Sequence, residues 1–186
     1  MIALWPHGRL WDLTHHAPWL TSLVIALSFG GALLAVAGLL AAWFKPKGLR
    51  CILSVGLAFV VTALVCKVIS HFVFVARPFV VHGFTPLFPH AANTSFPSSL
   101  TAFFALVASP VFLARRRMGW VLVGVTIWVG IACAYVGVHY VTDVLAGAIL
   151  GGGFGALAWF VLGLPVTAPR VESLDRTLKR IHLQPT

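Results

Sequence analysis

Apolar residues along this chain come in long runs, separated by short clusters of charge, proline or histidine. The first run, 20–44, is 25 residues without a charge. A helix rises about 1.5 Å per residue and needs about 20 apolar residues to cross a bilayer core, so this run predicts a spanning helix. A basic turn follows, Lys45-Pro46-Lys47-Gly48-Leu49-Arg50. The run 51–75 predicts a second span that carries Lys67 and His71. Residues 77–97 read as a polar loop containing prolines. The run 98–114 predicts a third, shorter span, closed by Arg115-Arg116-Arg117. Runs 118–138 and 144–164 predict a fourth and a fifth. A polar tail follows, with a short helix expected after Glu172. The first 17 residues mix Trp5 and Trp11 with His7, Arg9, Asp12, His15 and His16. They lack the apolar core of a signal peptide and read as an amphipathic helix lying in the interface.

Composition supports that pattern. Hydrophobic residues make up 60% and charged residues 9%, which excludes an ordinary soluble domain. The expected fold is all-α: a polytopic membrane bundle of five spanning helices plus the N-terminal interfacial helix. Residues 1–165 form the membrane domain and 166–186 a cytoplasmic tail. The formal net charge of +9 then requires no nucleic acid, because membrane proteins gather Lys and Arg in cytoplasmic loops. The turns at 45–50 and 115–117 and the tail hold most of the basic residues, leaving Arg9 and Arg77 on the other side. That places the N-terminus in the periplasm, the tail in the cytoplasm, and the 77–97 loop beside residues 139–143 on the outer face. Cys51, Cys66 and Cys133 lie in apolar runs without paired spacing and read as small core residues. Gly147, Gly151 and Gly155 recur every four residues, as close helix packing requires.

The candidate chemistry sits on that outer face. Asp143 is the only acidic residue between Asp12 and Glu172, and a carboxylate in such a chain is costly without a partner. His139 lies four residues earlier. On a helix the two share a face, and a carboxylate-oriented imidazole makes a nucleophile or base. The plainer alternative is a pair that caps a helix at the water interface. Arg77-Pro78 closes the second span, and Phe96-Pro97-Ser98-Ser99 opens the third. Arginine offers bidentate contact to phosphate, and a helix start offers free N–H groups to an anion. Together these groups meet the needs of in-line attack on phosphorus without a metal or cofactor.

Three stretches carry a family resemblance: Ala76-Arg77-Pro78-Phe79-Val80, the run PLFPHAANTSFPSS at 86–99, and Gly137-Val138-His139-Tyr140-Val141-Thr142-Asp143-Val144-Leu145. The chain resembles the membrane-bound type 2 phosphatidic acid phosphatases, and within them the bacitracin-resistance type of undecaprenyl pyrophosphate phosphatase. The resemblance implies that His139 forms a phosphohistidine, Asp143 orients it, and Arg77 binds phosphate oxygens. It also implies that Ser98, with the amides of Ser98 and Ser99, contacts phosphate. Four motif positions depart from the family. Leu100 stands where the general-acid histidine belongs. Ala132-Cys133 replace a Ser-Arg pair, and Ser70 replaces a lysine. Lys67 is one turn before Ser70, roughly 4.5 Å away along a helix, and is expected to share a face with Ser70 and Arg77 and to snorkel toward the phosphate.

The function implied is a metal-independent membrane lipid phosphatase. It hydrolyses undecaprenyl pyrophosphate to the monophosphate at the periplasmic face of the bacterial inner membrane, in cell wall biogenesis and bacitracin resistance. The alternatives are an impaired relative that binds or translocates lipid phosphates, and a phosphatidylglycerophosphate or lipid A phosphatase. The expected partners are the lipid phosphate substrate and the membrane. Oligomeric state is left open.

Overall fold

The computed structural model describes residues 47–83, 90–165 and 167–182, with side chains to 178, and scattered positions between 19 and 38. Six helices are described in full: α1 Gly48–Phe72, α2 Pro78–His82, α3 Ser99–Ala114, α4 Arg116–Tyr135, α5 Val141–Val161 and α6 Ala168–His182. Among the described residues there is no strand. Helices α1, α4 and α5 are long and apolar enough to cross a membrane. Their outward faces stay apolar: Val60, Leu64, Ile127, Ile131, Ile149 and Leu157 are each more than half exposed. A helix that is apolar all round belongs in a protein core or in lipid.

Helix α3 is the hub. Its 16 residues, at about 1.5 Å each, fall short of the roughly 30 Å hydrocarbon core, but its neighbours enclose it. Phe104, Leu106, Val107, Ala108 and Val111 pack with Cys51 and Ala58 of α1, Leu122 and Val129 of α4, and Ala158 and Trp159 of α5. The glycine stripe explains how close α5 comes. A Cβ at Gly147 would overlap the Ser98 carbonyl, one at Gly151 the Ala102 carbonyl, and one at Gly155 the Ser109 hydroxyl. The close packing read from the sequence is therefore real, and its partner is α3. The three cysteines are free and buried, as core residues should be.

Cross-links mark the two ends of the bundle. At one end, Arg50 of α1 donates to the Trp159 carbonyl through Nε at 3.1 Å and Nη2 at 2.5 Å. Its guanidinium also lies 4.1 Å from the centre of the Trp159 ring. A cation there satisfies a carbonyl in the last turn of α5. Arg115 alone joins α3 to α4 at this end. At the other end, Ser70 Oγ donates to the Phe96 carbonyl at 3.0 Å, and the Phe79 N–H donates to Gly137 at 3.2 Å.

Several boundaries differ from the sequence expectation. The second span ends at Phe72 rather than 75, and residues 73–77 are not helical. Pro78 disfavours helical geometry at Arg77, and the β-branched Val73 and Val75 suit the extended path. The 77–97 loop contains α2, closed by Gly83 at φ 66. Arg116 and Arg117 belong to α4 rather than to a turn. The fourth and fifth spans begin and end about three residues early, at Arg116–Tyr135 and Val141–Val161. The tail helix starts at Ala168, ahead of Glu172, because Pro169 is tolerated in a first turn whose N–H groups lack partners anyway. In the 20–44 run the described positions are helical. A Cβ at Gly38 would lie 3.5 Å from Met118 and Leu122 of α4. The rest of that run, and the interfacial helix expected at 1–17, lie outside the described residues. The count of five spans therefore remains a reading of the sequence.

Candidate active site

The end of α4 positions the central imidazole. After Tyr135 the chain turns through Gly137 at φ 72, a conformation that favours glycine. His139 follows in the loop, and Tyr140 is the N-cap of α5. His139 and Asp143 are thus not two positions on one helical face, as the spacing predicted. Asp143 is in the first turn of α5, and its Oδ2 accepts the Tyr140 backbone N–H at 2.8 Å. That carboxylate is 1% exposed, offset by the partial positive charge at the helix start.

His139 is buried, and its two ring nitrogens face different groups. Nδ1 lies 2.8 Å from the Ser95 carbonyl oxygen but 3.8 Å from Asp143 Oδ2. A carbonyl only accepts, so Nδ1 carries the proton and donates it to Ser95. Nε2 is then unprotonated and acts as an acceptor. Ser95 holds the ring by a direct bond, while Asp143 acts over a longer distance through its charge. The expected orienting role of Asp143 is therefore shared with a backbone group.

Arg77 meets the other nitrogen. Its Nη1 is 3.4 Å from His139 Nε2 and donates to the Val138 carbonyl at 3.0 Å. Nε and Nη2 donate to Asn93 Oδ1 at 3.0 and 2.8 Å. Three of the five guanidinium N–H groups are thus bonded to protein oxygens, the second on Nη1 faces His139 Nε2, and one on Nη2 remains without a protein partner. Burial pulls the Arg77 pKa below its usual value, and the Asp143 charge acts against that pull. Arginine titrates so high that it stays charged.

Ser98 behaves differently from its expected part. Its amide donates to the Asp143 carbonyl at 3.0 Å, and its hydroxyl accepts from the Thr101 N–H at 3.4 Å. As the N-cap of α3 it is fully buried and committed to structure. Helix geometry leaves the following amides, those of Ser99 and Leu100, without partners inside the helix. The amides without helical partners at this helix start are thus those after Ser98.

These groups open onto a cavity of about 950 Å³ lined by Arg77, His139, His90, Asn93, Ser99, Leu100 and Lys67, with Phe59, Phe103 and Cys133 further along. Lys67 does reach this cavity, although α1 ends before Arg77 and the helical face expected to join them stops at Phe72. Leu100 is 48% exposed and borders the cavity without closing it. Ser70 also lines the cavity, and its hydroxyl is bonded to the loop carbonyl of Phe96. His90 stands across from the central imidazole, with ring centres 6.4 Å apart. Among the described residues no group of three His, Cys, Asp or Glu side chains is placed to hold a metal ion. Sequence reasoning missed the roles of Asn93 and Ser95. Both lie in the 86–99 run, but the match there could not show which atom of each would bond.

A buried arginine thus lies beside a buried imidazole, next to a helix start and at one end of an apolar helical bundle. The PAP2 superfamily pattern matches residues 51–164, and the chain belongs to that superfamily. It is similar to "Undecaprenyl-diphosphatase BcrC" of Bacillus subtilis, 29% identical over 140 residues, covering 74% of this chain and 72% of that protein. It is also similar to "Lipid A 1-phosphatase" of Rhizobium etli, 40% identical over 83 residues, covering 42% of this chain and 34% of that one. Its fold matches the crystal structure of Aquifex aeolicus LpxE with a TM-score of 0.65 at 20% identity, covering 84% of this chain and 98% of that one. The protein is thus a membrane member of a family of lipid phosphatases.

Proposed function

We propose that this chain hydrolyses undecaprenyl pyrophosphate to the monophosphate through a phosphohistidine, at the periplasmic face of the bacterial inner membrane and without a metal. The observation that carries the reading is the pairing of His139 Nε2 with Arg77 Nη1 at 3.4 Å, while Nδ1 is held by Ser95. Nε2 attacks the terminal phosphorus. Arg77, through its remaining N–H and the Nη1–H that faces the imidazole, and the Ser99 and Leu100 amides receive the charge that builds on its oxygens, and Lys67 adds a further cation from the cavity wall.

Leu100 cannot supply a proton to the leaving group. That omission matters least for a diphosphate, because its leaving group is a phosphate monoester with a second pKa of about 6. It matters more for monoesters such as phosphatidylglycerophosphate or lipid A 1-phosphate, whose leaving group is an alkoxide or sugar oxygen. The similarity to an undecaprenyl-diphosphatase over most of the chain supports the same substrate class. The basic residues at the starts of α1 and α4 and in the tail after residue 165 support a cytoplasmic side at the opposite end of the bundle. Purified protein should release phosphate from undecaprenyl pyrophosphate in micelles, and His139→Ala should release none. Equal release by the variant and the wild type removes this mechanism.

A second reading is favoured by Leu100 and Cys133 in two motif positions: a relative that binds or moves lipid phosphates without cleaving them. It predicts saturable binding of the lipid diphosphate by wild-type protein with no phosphate released.

A further inference from the structure

A phosphohistidine route has two halves, and they make different demands. In the first half a diphosphate departs readily without a proton. In the second half a water must attack the phosphohistidine, and that water has to lose a proton. Nothing in the substrate eases this step, so the site must supply a base.

Most described side chains on the cavity wall can be set aside. Ser99, Thr94 and Asn93 are not bases at neutral pH, and Lys67 enters the site as a hydrogen-bond donor. Leu100 has no titratable group. Asp143 is 1% exposed, does not line the cavity, and already accepts the Tyr140 N–H. His71 and His82 do not border this cavity. His90 does, and its ring centre lies 6.4 Å from that of His139 at an interplanar angle of 74°. The rings are too far apart to touch. Both rings border the same cavity, so a water beside a phosphoryl group on Nε2 can meet the His90 ring from within it, since a base acts over about 2.6–3.2 Å.

We propose that His90 is the general base that deprotonates the water hydrolysing the phosphohistidine. This inference rests on the phosphohistidine reading above. The water oxygen forms a bond to phosphorus, and the N–P bond breaks with its electron pair returning to Nε2 of His139. The water proton passes to the neutral His90 ring. Inorganic phosphate leaves, and His90, which keeps contact with solvent, gives up the proton there. Partial burial, Arg77 and His139 all hold the His90 pKa below its usual value, which keeps the ring in the form that accepts a proton.

The test follows the label. Wild type, His90→Ala, His90→Gln and His139→Ala are given lipid diphosphate carrying ³²P at the terminal phosphorus. Loss of a general base should lower steady-state phosphate release by about 10²–10⁴-fold in both His90 variants. Lipid monophosphate should still appear in a burst approaching one per protein, with acid-labile label trapped on the chain. Added imidazole should restore turnover in His90→Ala. Unchanged turnover in the His90 variants overturns the proposal, and so does slow turnover without trapped label, which would place the defect in binding or in the first half. His139→Ala separates the two readings. Phosphate release by that variant at the wild-type rate removes the phosphohistidine itself, whereas a dead His139→Ala beside fully active His90 variants removes only the base.

Discussion

The backbone N–H of Ser98 donates to the backbone carbonyl of Asp143 at 3.0 Å. This bond joins the start of α3 to the first turn of α5 and so fixes the anion-facing amides relative to the imidazole. Asp143 therefore contributes at two levels: its carbonyl holds α3, and its carboxylate caps its own helix while facing His139 at 3.8 Å. The direct bond to the imidazole comes from Ser95. In a triad where the carboxylate holds the ring directly, Asp→Asn costs about 10⁴-fold. Asp143→Asn here should cost clearly less, because an amide oxygen can still accept from Tyr140 and Ser95 still fixes the ring. Asp143→Ala removes the cap as well, at about 0.5–2 kcal/mol. Phosphate release and thermal midpoints of the two variants check both parts. A full 10⁴-fold loss in Asp143→Asn would show that Ser95 is not the main support of the ring.

Arg77 and Asn93 make the second prediction. Asn93 Oδ1 takes two guanidinium N–H groups, which turns the remaining donors toward the imidazole. Arg77→Lys keeps the charge but loses the planar fork. Removing a charge-stabilising donor costs roughly 10²–10³-fold, and a loss of that order is expected in kcat for Arg77→Lys. Asn93→Ala should give a smaller loss, because the arginine remains and only its orientation relaxes. An Asn93→Ala defect as large as that of Arg77→Lys would mean that Asn93 itself meets the substrate.

The sequence made parts of this site legible for a physical reason. Spanning helices are countable from apolar runs, so the meeting of Arg77, Ser98 and His139 at one end could be read before any geometry. Their bonding partners could not. Ser95 acts through a backbone carbonyl, and every residue carries one. Ser98 was expected to turn an amide toward phosphate, but a buried N-cap whose N–H crosses to Asp143 has none to offer. The helix boundaries near the site were missed because capping decides them. Asp143 reaches back to Tyr140 and starts α5 there, which leaves His139 outside the helix.

Packing of α5 on α3 gives a contrast within one helix. A methyl at Gly147 would overlap the Ser98 carbonyl, whereas a methyl at Gly152 meets open space. Overpacking costs about 1–3 kcal/mol, so Gly147→Ala should lower the thermal midpoint in detergent and, by shifting α3, reduce phosphate release. Gly152→Ala should leave activity intact and gain up to about 1 kcal/mol from helix propensity. Equal behaviour of the two variants would contradict the close approach of α3 and α5.

Leu100 offers a change of selectivity. It borders the cavity and is 48% exposed, so a histidine has room there. Leu100→His should raise hydrolysis of lipid phosphate monoesters, which need a proton on the leaving oxygen, by more than it raises hydrolysis of the diphosphate. A general acid is worth about 10²–10⁴-fold, and even a tenth of the lower figure is readable as a shift in the ratio of the two rates. An unchanged ratio would indicate that departure of the monoester is not limited by the missing acid.

The last prediction concerns pH. Partial burial first, then the nearness of Arg77 and His139, lower the His90 pKa from its usual value. Between that lowered value and the unfolded value of about 6.5, the unfolded chain binds the extra proton and the folded chain does not. His90 therefore adds no pH dependence above about 6.5, and stability falls as pH drops through that value toward the folded pKa. Thermal midpoints of wild type and His90→Gln, measured from pH 7.5 down to pH 5, should diverge in one direction, with the wild type losing more on acidification. Parallel curves would mean that Arg77 and His139 do not act on this ring in the folded protein, and that His90 stands further from the site than 6.4 Å implies.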